Sequence, residues 1–517
     1  MNTGSRTSNS LKNILFGITS QVLQIVLSFV ARTVFIKYLA IEYLGINSLF
    51  SNILMMLSLA ELGVSAAFVY SLYKPLADKD EFTISVILKF YKKVYWIIGL
   101  FIFFSGLILI PFLDHFIAQK PAAINEDIRI IYFIFLFNTS SSYFFSYKIS
   151  LLNADQQNSV VTINQMKFLI LQNILQILVL VFKTNFIAYL LVQTLTQFAS
   201  NYYVSHLVDK RYSFLRKFKT GIIDRNLKKT IISNTKSTFL IKVGGVMVNG
   251  TDNVFISYFV GLAILGKFSN YLMLVALVSN FTAIIFANLS SSIAHLIVTE
   301  RKEQQRKIFY SLNFLNFWIF GVCALMIVFL VNDFIKLWIG EQFLLGREIS
   351  ILLAVNFFMV GMQSGFWTFK GAYGFFKQGR YAVLGTALIN LVLSYYGGLH
   401  FGILGIIGAT AIARLVTNFW YDPYVVLKLG LNENPMRYLL KFVKYLLVLG
   451  IAAVVTFFAS SFLSFSGLVN FVLKATICFT LVNLFIILVF KNSPEFIASL
   501  EKLKQVRTIL FAKIMKK

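Results

Sequence analysis

The sequence predicts an all-α, polytopic membrane protein of about fourteen transmembrane helices, twelve of them in two copies of one six-helix unit. Three observations carry this. Mean hydropathy is +0.76, and 58% of the 517 residues are hydrophobic against 13% charged, the composition of a chain that lives in lipid. Two segments recur inside hydrophobic spans: Val34-Phe35-Ile36-Lys37-Tyr38 reads like Val254-Phe255-Ile256-Ser257-Tyr258, and Phe50-Ser51-Asn52-Ile53-Leu54-Met55 like Phe268-Ser269-Asn270-Tyr271-Leu272-Met273. Finally, basic residues gather in alternate loops. Duplicated helical bundles place a substrate site at the repeat interface in many transporters.

A spanning helix needs roughly 20 apolar residues. Fourteen runs qualify: 11–36, 43–71, 86–113, 126–151, 160–182, 185–208, 230–259, 262–296, 308–332, 347–374, 381–399, 402–427, 437–464 and 468–490. The first follows a short polar tail, 1–10, and has no small-residue cleavage pattern, so it reads as an uncleaved span. With the N-terminus in the cytoplasm, 35 of the 47 Lys and Arg fall in inner segments, 6 in outer segments and 6 within spans. A miscounted span would invert every later loop and destroy this bias, which is the positive-inside pattern. It puts both termini in the cytoplasm. It also accounts for the net charge of +26 without a nucleic-acid partner.

The basic linker 210–229 separates an N-terminal six-helix lobe, 11–209, from a C-terminal one, 230–428. Six spans precede it, so the second lobe enters in the orientation of the first, and the repeats are parallel. Residues 429–491 add two spans. The tail 492–517 alternates Phe496, Leu500, Leu503 and Leu510 with Lys502, Lys504, Arg507 and Lys513. It reads equally as an interfacial amphipathic helix or a solvated basic tail.

Enzyme chemistry finds no support. No HExxH, GxSxG or Walker A sequence is present, and the four histidines are scattered, so neither a metal nor another cofactor is expected. Cys323 and Cys478 lie in apolar runs and read as small hydrophobes. The outer loops are short, the largest being 114–126 and 333–347.

Candidate site residues come from polar stripes within spans, where a charge costs about 2.5–3.5 kcal/mol on insertion scales. Gln21, Gln24, Ser28 and Arg32 share one face of span one. Thr238, Lys242, Gly245, Asn249 and Asp252 share one face of span seven. The repeat offset sets Arg32 against Asp252, so the stripes face each other across a central, net-positive cavity. Span two adds Glu61, a gating residue or a structural lock. Lys236 and Arg414 are weaker candidates: Lys236 serves equally by snorkelling inward, and Arg414, beside Thr417 and Asn418, has an equal structural reading. Arg32 has a snorkelling alternative too. Gln165, Gln172, Gln176, Gln363 and Asn390 read as groups that hold helices together. Gly397-Gly398 and the glycines from Gly402 to Gly408 mark a tight outer turn with close helix packing.

The stretch 32–76, with its "YLG…LF" turn, and "DNVFISYFVG" from Asp252 to Gly261 resemble the polysaccharide (O-antigen type) flippase family of the multidrug/oligosaccharidyl-lipid/polysaccharide exporter superfamily. The resemblance implies two six-helix lobes in a V, with two further helices. It implies a multi-pass protein of the bacterial cytoplasmic membrane that moves an undecaprenyl-diphosphate-linked oligosaccharide to the outer leaflet by alternating access. Its partners would be that lipid-linked substrate, membrane lipids, and a polysaccharide polymerase with its chain-length machinery; a monomer is the default. Lys242 and Arg32 would hold the diphosphate. Gln21, Gln24, Ser28 and Asn249 would face sugars, Asp252 and Glu61 would gate or couple, and the lipid tail would leave beside spans one and eight. The alternatives are a lipid II flippase or a cation-coupled multidrug exporter of the same superfamily.

Overall fold

With no water in the bilayer core, backbone N–H and C=O groups must be satisfied within each segment, and helices do this locally. The computed structural model describes residues 3–61, 64–118, 122–218, 225–287, 289–463 and 465–501, and among them there is no strand. The helices are α1 (Thr3–Tyr38), α2 (Ile41–Leu57), α3 (Val64–Asp78), α4 (Glu81–Leu109), α5 (Ile128–Ala154), α6 (Asn158–Lys183), α7 (Phe186–Arg211), α8 (Arg225–Phe259), α9 (Leu262–Ala287), α10 (Leu289–Thr299), α11 (Lys302–Trp338), α12 (Arg347–Tyr373), α13 (Phe376–Val416), α14 (Asn418–Pro423), α15 (Pro435–Ser461) and α16 (Gly467–Phe490).

Several starts are set by short polar side chains that accept from the orphan amides of the first turn. Asp80 accepts from Thr83 N, Asp127 from Arg129 N and Asn185 from Ala188 N. Asn434 accepts from Met436 N, with Pro435 as the first residue of α15.

Ten helical stretches among the described residues are long and apolar enough to cross a membrane. One of them, Ala382–Gly430, carries two expected spans, 381–399 and 402–427. The chain reverses within α13 at Gly402 (φ 57°, ψ −136°). A Cβ on Gly397 would collide with the Gly405 carbonyl, and one on Gly405 with that of Gly397. Glycine lets the two arms touch along their backbones, as the sequence anticipates. Three other expected spans do not reach that apolarity as single helices. Span 43–71 is interrupted by the 3-10 turn Ser58–Glu61 between α2 and α3, and 185–208 and 230–259 form the more polar α7 and α8.

The chain divides into two compact units, Met1–Gly266 and Lys267–Lys517. In the first, α5 packs against α4 and α7, α6 against α7 and α1, and α2 against α8. Its core is aromatic: Phe68 stacks on Tyr91 at 3.8 Å, and Phe50 meets Tyr132 edge-on at 5.1 Å. The loop after α4 is tied to α8, because Ser257 Oγ donates to Phe116 O (2.7 Å) and Ala118 N donates to Ser257 O (3.1 Å).

In the second unit, α11 packs on α12 and α16, and α15 on α16. Phe317 stacks on Tyr445 at 4.1 Å, with Phe490 edge-on to both at 5.5 Å. Polar bonds fix the added helix α16 to α11. Lys474 Nζ reaches Asp333 Oδ2 (2.7 Å), and Trp318 Nε1 donates to Asn483 Oδ1 (2.8 Å). Residues 494–501 are helical, and Phe496 is buried there against Trp318 at 5.4 Å. The rest of the basic tail, 502–517, lies outside the described residues. Both cysteines are free thiols, Cys478 buried and Cys323 half-buried.

Candidate functional site

Helix α1 places the first polar stripe. Gln21, Ser28 and Arg32 are half-buried and Gln24 is exposed. Arg32 is within electrostatic reach of Tyr189 on α7. The same face of α1 carries Phe35, buried edge-on against Tyr189 (5.2 Å) and Phe186 (6.0 Å). Gln24, two turns before Arg32, looks into a cavity of about 240 Å³ between α1, α6 and α7. The structure therefore brings Gln24 together with Gln165 and Gln172 of α6 and Gln197 of α7.

The glutamines and asparagines of α6 divide into two groups. Asn164 and Gln176 are buried and join helices, as expected for Gln176. Asn164 Nδ2 donates to Ser200 Oγ (2.9 Å), and Gln176 Nε2 donates to Tyr189 O (3.3 Å). Gln165 is exposed into the cavity instead. Gln172 does both: it accepts from Thr196 Oγ1 at 3.3 Å while lining the cavity.

Glu61 sits at the interruption of span two, in the 3-10 turn. Its charge faces Tyr95 of α4 and Tyr143 of α5, and the Tyr143 hydroxyl is within hydrogen-bonding reach of its carboxylate. Broken helices at membrane depth recur at transporter sites, where the freed backbone lines a cavity or packs in protein. Spacing singled out Glu61 but gave no sign of the two tyrosines, which lie in apolar runs and read as core.

Asp252 is half-buried on α8, flanked by the buried Thr251 and Asn253. α8 packs on α2 and α3. The side chains of Lys236, Lys242 and Asn249 lie outside the described residues. Arg414 is buried near the end of α13, one turn from buried Asn418. Among the described residues, no cluster of His, Cys, Asp and Glu that could hold a metal is present.

The structure adds two ion pairs that spacing did not reveal. In the first unit Lys148 Nζ of α5 donates to Asp209 Oδ2 (2.7 Å) and Ser205 Oγ (2.7 Å) of α7. In the second, Lys370 Nζ of α12 donates to Asp422 Oδ1 (2.6 Å), whose Oδ2 accepts from Trp367 Nε1 (3.1 Å). Each pair joins the end of one span to the end of the next span but one. At the start of α11, Lys302 Nζ donates to Gly430 O (2.6 Å), and Arg306 donates to Leu431 O and Asn432 O. These bonds hold the π-helix Tyr424–Gly430 against the start of α11.

Comparison with solved structures places the fold. The chain is similar to the lipid II flippase MurJ in an inward-closed conformation, with a TM-score of 0.62 at 16% identity over 93% of this chain and 99% of that one. An inward-facing multidrug resistance MATE transporter of the MOP superfamily gives 0.57 at 12% identity over 78% and 95%. A MATE transporter from Vibrio cholerae gives 0.50 at 14% identity over 83% and 99%. No protein-family model matches the chain, and no curated protein sequence matches it. At these identities the likeness concerns the fold, which this chain shares with MurJ and the MATE transporters.

Proposed function

We propose that this protein is a flippase that moves an undecaprenyl-diphosphate-linked oligosaccharide from the inner to the outer leaflet of the bacterial cytoplasmic membrane by alternating access, for cell-surface polysaccharide synthesis. The observation that carries the reading is the extent of the fold match. The likeness to a lipid-carrier flippase runs over 93% of the chain, whereas the MATE transporters match 78% and 83% of it. The chemistry of the stripes supports the same cargo. Arg32 and Lys242 supply cations for a diphosphate, and Gln21, Gln24, Ser28 and Asn249 supply neutral donors and acceptors for sugars.

In this proposal the working halves are 11–209 and 230–428, joined by 210–229. Asp252 and Glu61 gate or couple the cycle, and Lys236 and Arg414 have secondary roles. The partners are the lipid-linked substrate and the polymerase that consumes it. A lipid II flippase is the second reading, favoured by the identity of the MurJ match. A multidrug exporter for cationic drugs fits less well, because it needs an acidic cavity and the α1 stripe is neutral or basic.

The test is genetic. Deletion should leave lipid-linked repeat units accumulated on the inner leaflet and abolish surface polysaccharide. Wild-type protein should restore export, and Arg32→Gln or Lys242→Gln should not, at unchanged membrane levels. Loss of peptidoglycan precursor transport instead would favour the second reading. Drug sensitivity alone would favour the third.

A further inference from the structure

The cavity between α1, α6 and α7 is lined by four glutamines, Gln24, Gln165, Gln172 and Gln197, with Thr162 and the ring of Phe168 among their neighbours. Among the described residues, no charged side chain lines it. Lys167, two residues from Gln165, is exposed and is not part of the lining. Polar side chains in membrane helices usually hold helices together, and that role accounts for Asn164 and Gln176. It does not account for Gln24, Gln165 and Gln197, which are exposed. All three line the cavity, and Gln197 Nε2 also donates to Asn201 Oδ1 (3.5 Å) on its own helix.

We infer that this cavity is a sugar subsite, which takes one neutral, polyhydroxylated ring from the glycan of the proposed cargo and therefore rests on that reading. Each glutamine amide offers two donors and an acceptor, the complement of a sugar hydroxyl, which both donates and accepts. Phe168 offers an apolar face to the C–H side of a pyranose. The lack of charge argues against the diphosphate, which needs a cation, and against a cationic drug, which needs an acid. Size argues the same way. The volume of about 240 Å³ lies below the roughly 300–1,000 Å³ of drug-sized pockets. A single ring fits that space, and the rest of the cargo lies outside it. The subsite would read the identity of the glycan, while the cations of α1 and α8 hold the part common to all such carriers.

The experiment compares two probes on the purified full-length protein in nanodiscs: undecaprenyl diphosphate, which carries no sugar, and the lipid-linked oligosaccharide fraction extracted from the source cells. The wild type should bind the sugar-bearing lipid more tightly, by roughly tenfold, as two or three net hydrogen bonds would give. Gln165→Leu with Gln197→Leu should abolish that preference, with the thermal unfolding midpoint as the fold control. If the double variant does not fold, Gln165→Ala alone should cut the preference about threefold. A preference that survives in the variants, or equal binding of the two lipids by the wild type, overturns the sugar subsite and leaves the lipid-carrier reading standing. A wild type that binds neither lipid overturns the flippase reading and the subsite with it.

Discussion

Gly45 and Gly266 make the same contact in mirror roles. A Cβ on Gly45 would collide with the carbonyl oxygen of Leu262, and one on Gly266 with that of Ile41. Ile41 stands four residues before Gly45 and Leu262 four before Gly266, so the two contacts are reciprocal. A two-fold relation between the α1–α2 and α8–α9 turns produces such a reciprocal pair. It ties the sequence duplication to geometry within the first unit. Backbone meets backbone there, and only glycine leaves room.

Gly45→Ala or Gly266→Ala should therefore be destabilising, by about 1–3 kcal/mol as for other overpacked sites. Thermal unfolding in detergent would measure it. Gly450→Ala is the control, since among the described residues no other segment comes within 4 Å of a Cβ there, and it should not lower the midpoint.

The ion pairs Lys148–Asp209 and Lys370–Asp422 should differ in strength, because burial differs. The Asp422 side chain is 1% exposed and that of Asp209 is 31% exposed. Lys370→Met strands a buried carboxylate and should cost about 3–5 kcal/mol, whereas adding Asp422→Leu should recover much of it. Lys148→Met should cost less, and its effect should shrink in high salt. Equal losses at the two sites would contradict a lock set by burial.

Glu61 faces Tyr143 and Tyr95 at the break in span two. If it gates or couples transport, Glu61→Gln should keep the fold, since an amide still accepts from Tyr143, while export falls at least tenfold, about 1.4 kcal/mol in a rate-limiting barrier. Surface polysaccharide and the unfolding midpoint, measured together, separate the roles. A lowered midpoint with normal export would make Glu61 a structural lock.

Much of the architecture was legible because lipid enforces simple rules. Apolar runs and the glycines around Gly402 each leave a local trace, and the structure uses them as read. The break at Ser58–Glu61 was not legible: it falls inside the long run 43–71, which length alone reads as one helix. The pairs Lys148–Asp209 and Lys370–Asp422 were hidden for another reason. Their partners lie 61 and 52 residues apart, and spacing along one helix does not tell which other helix adjoins it. Gln24 was singled out by its stripe. Gln165 and Gln172 were read as helix-joining groups, because sequence does not distinguish an amide that closes a contact from one that lines a cavity.

Reconstituted transport is the direct test. Purified protein would be placed in liposomes carrying a labelled lipid-linked oligosaccharide, with a membrane-impermeant glycosidase added outside. The account predicts that wild-type protein makes the inner-leaflet half of the label available to cleavage, and that Arg32→Gln or Lys242→Gln protein does not. Cleavage that stops at half in wild-type vesicles would contradict it.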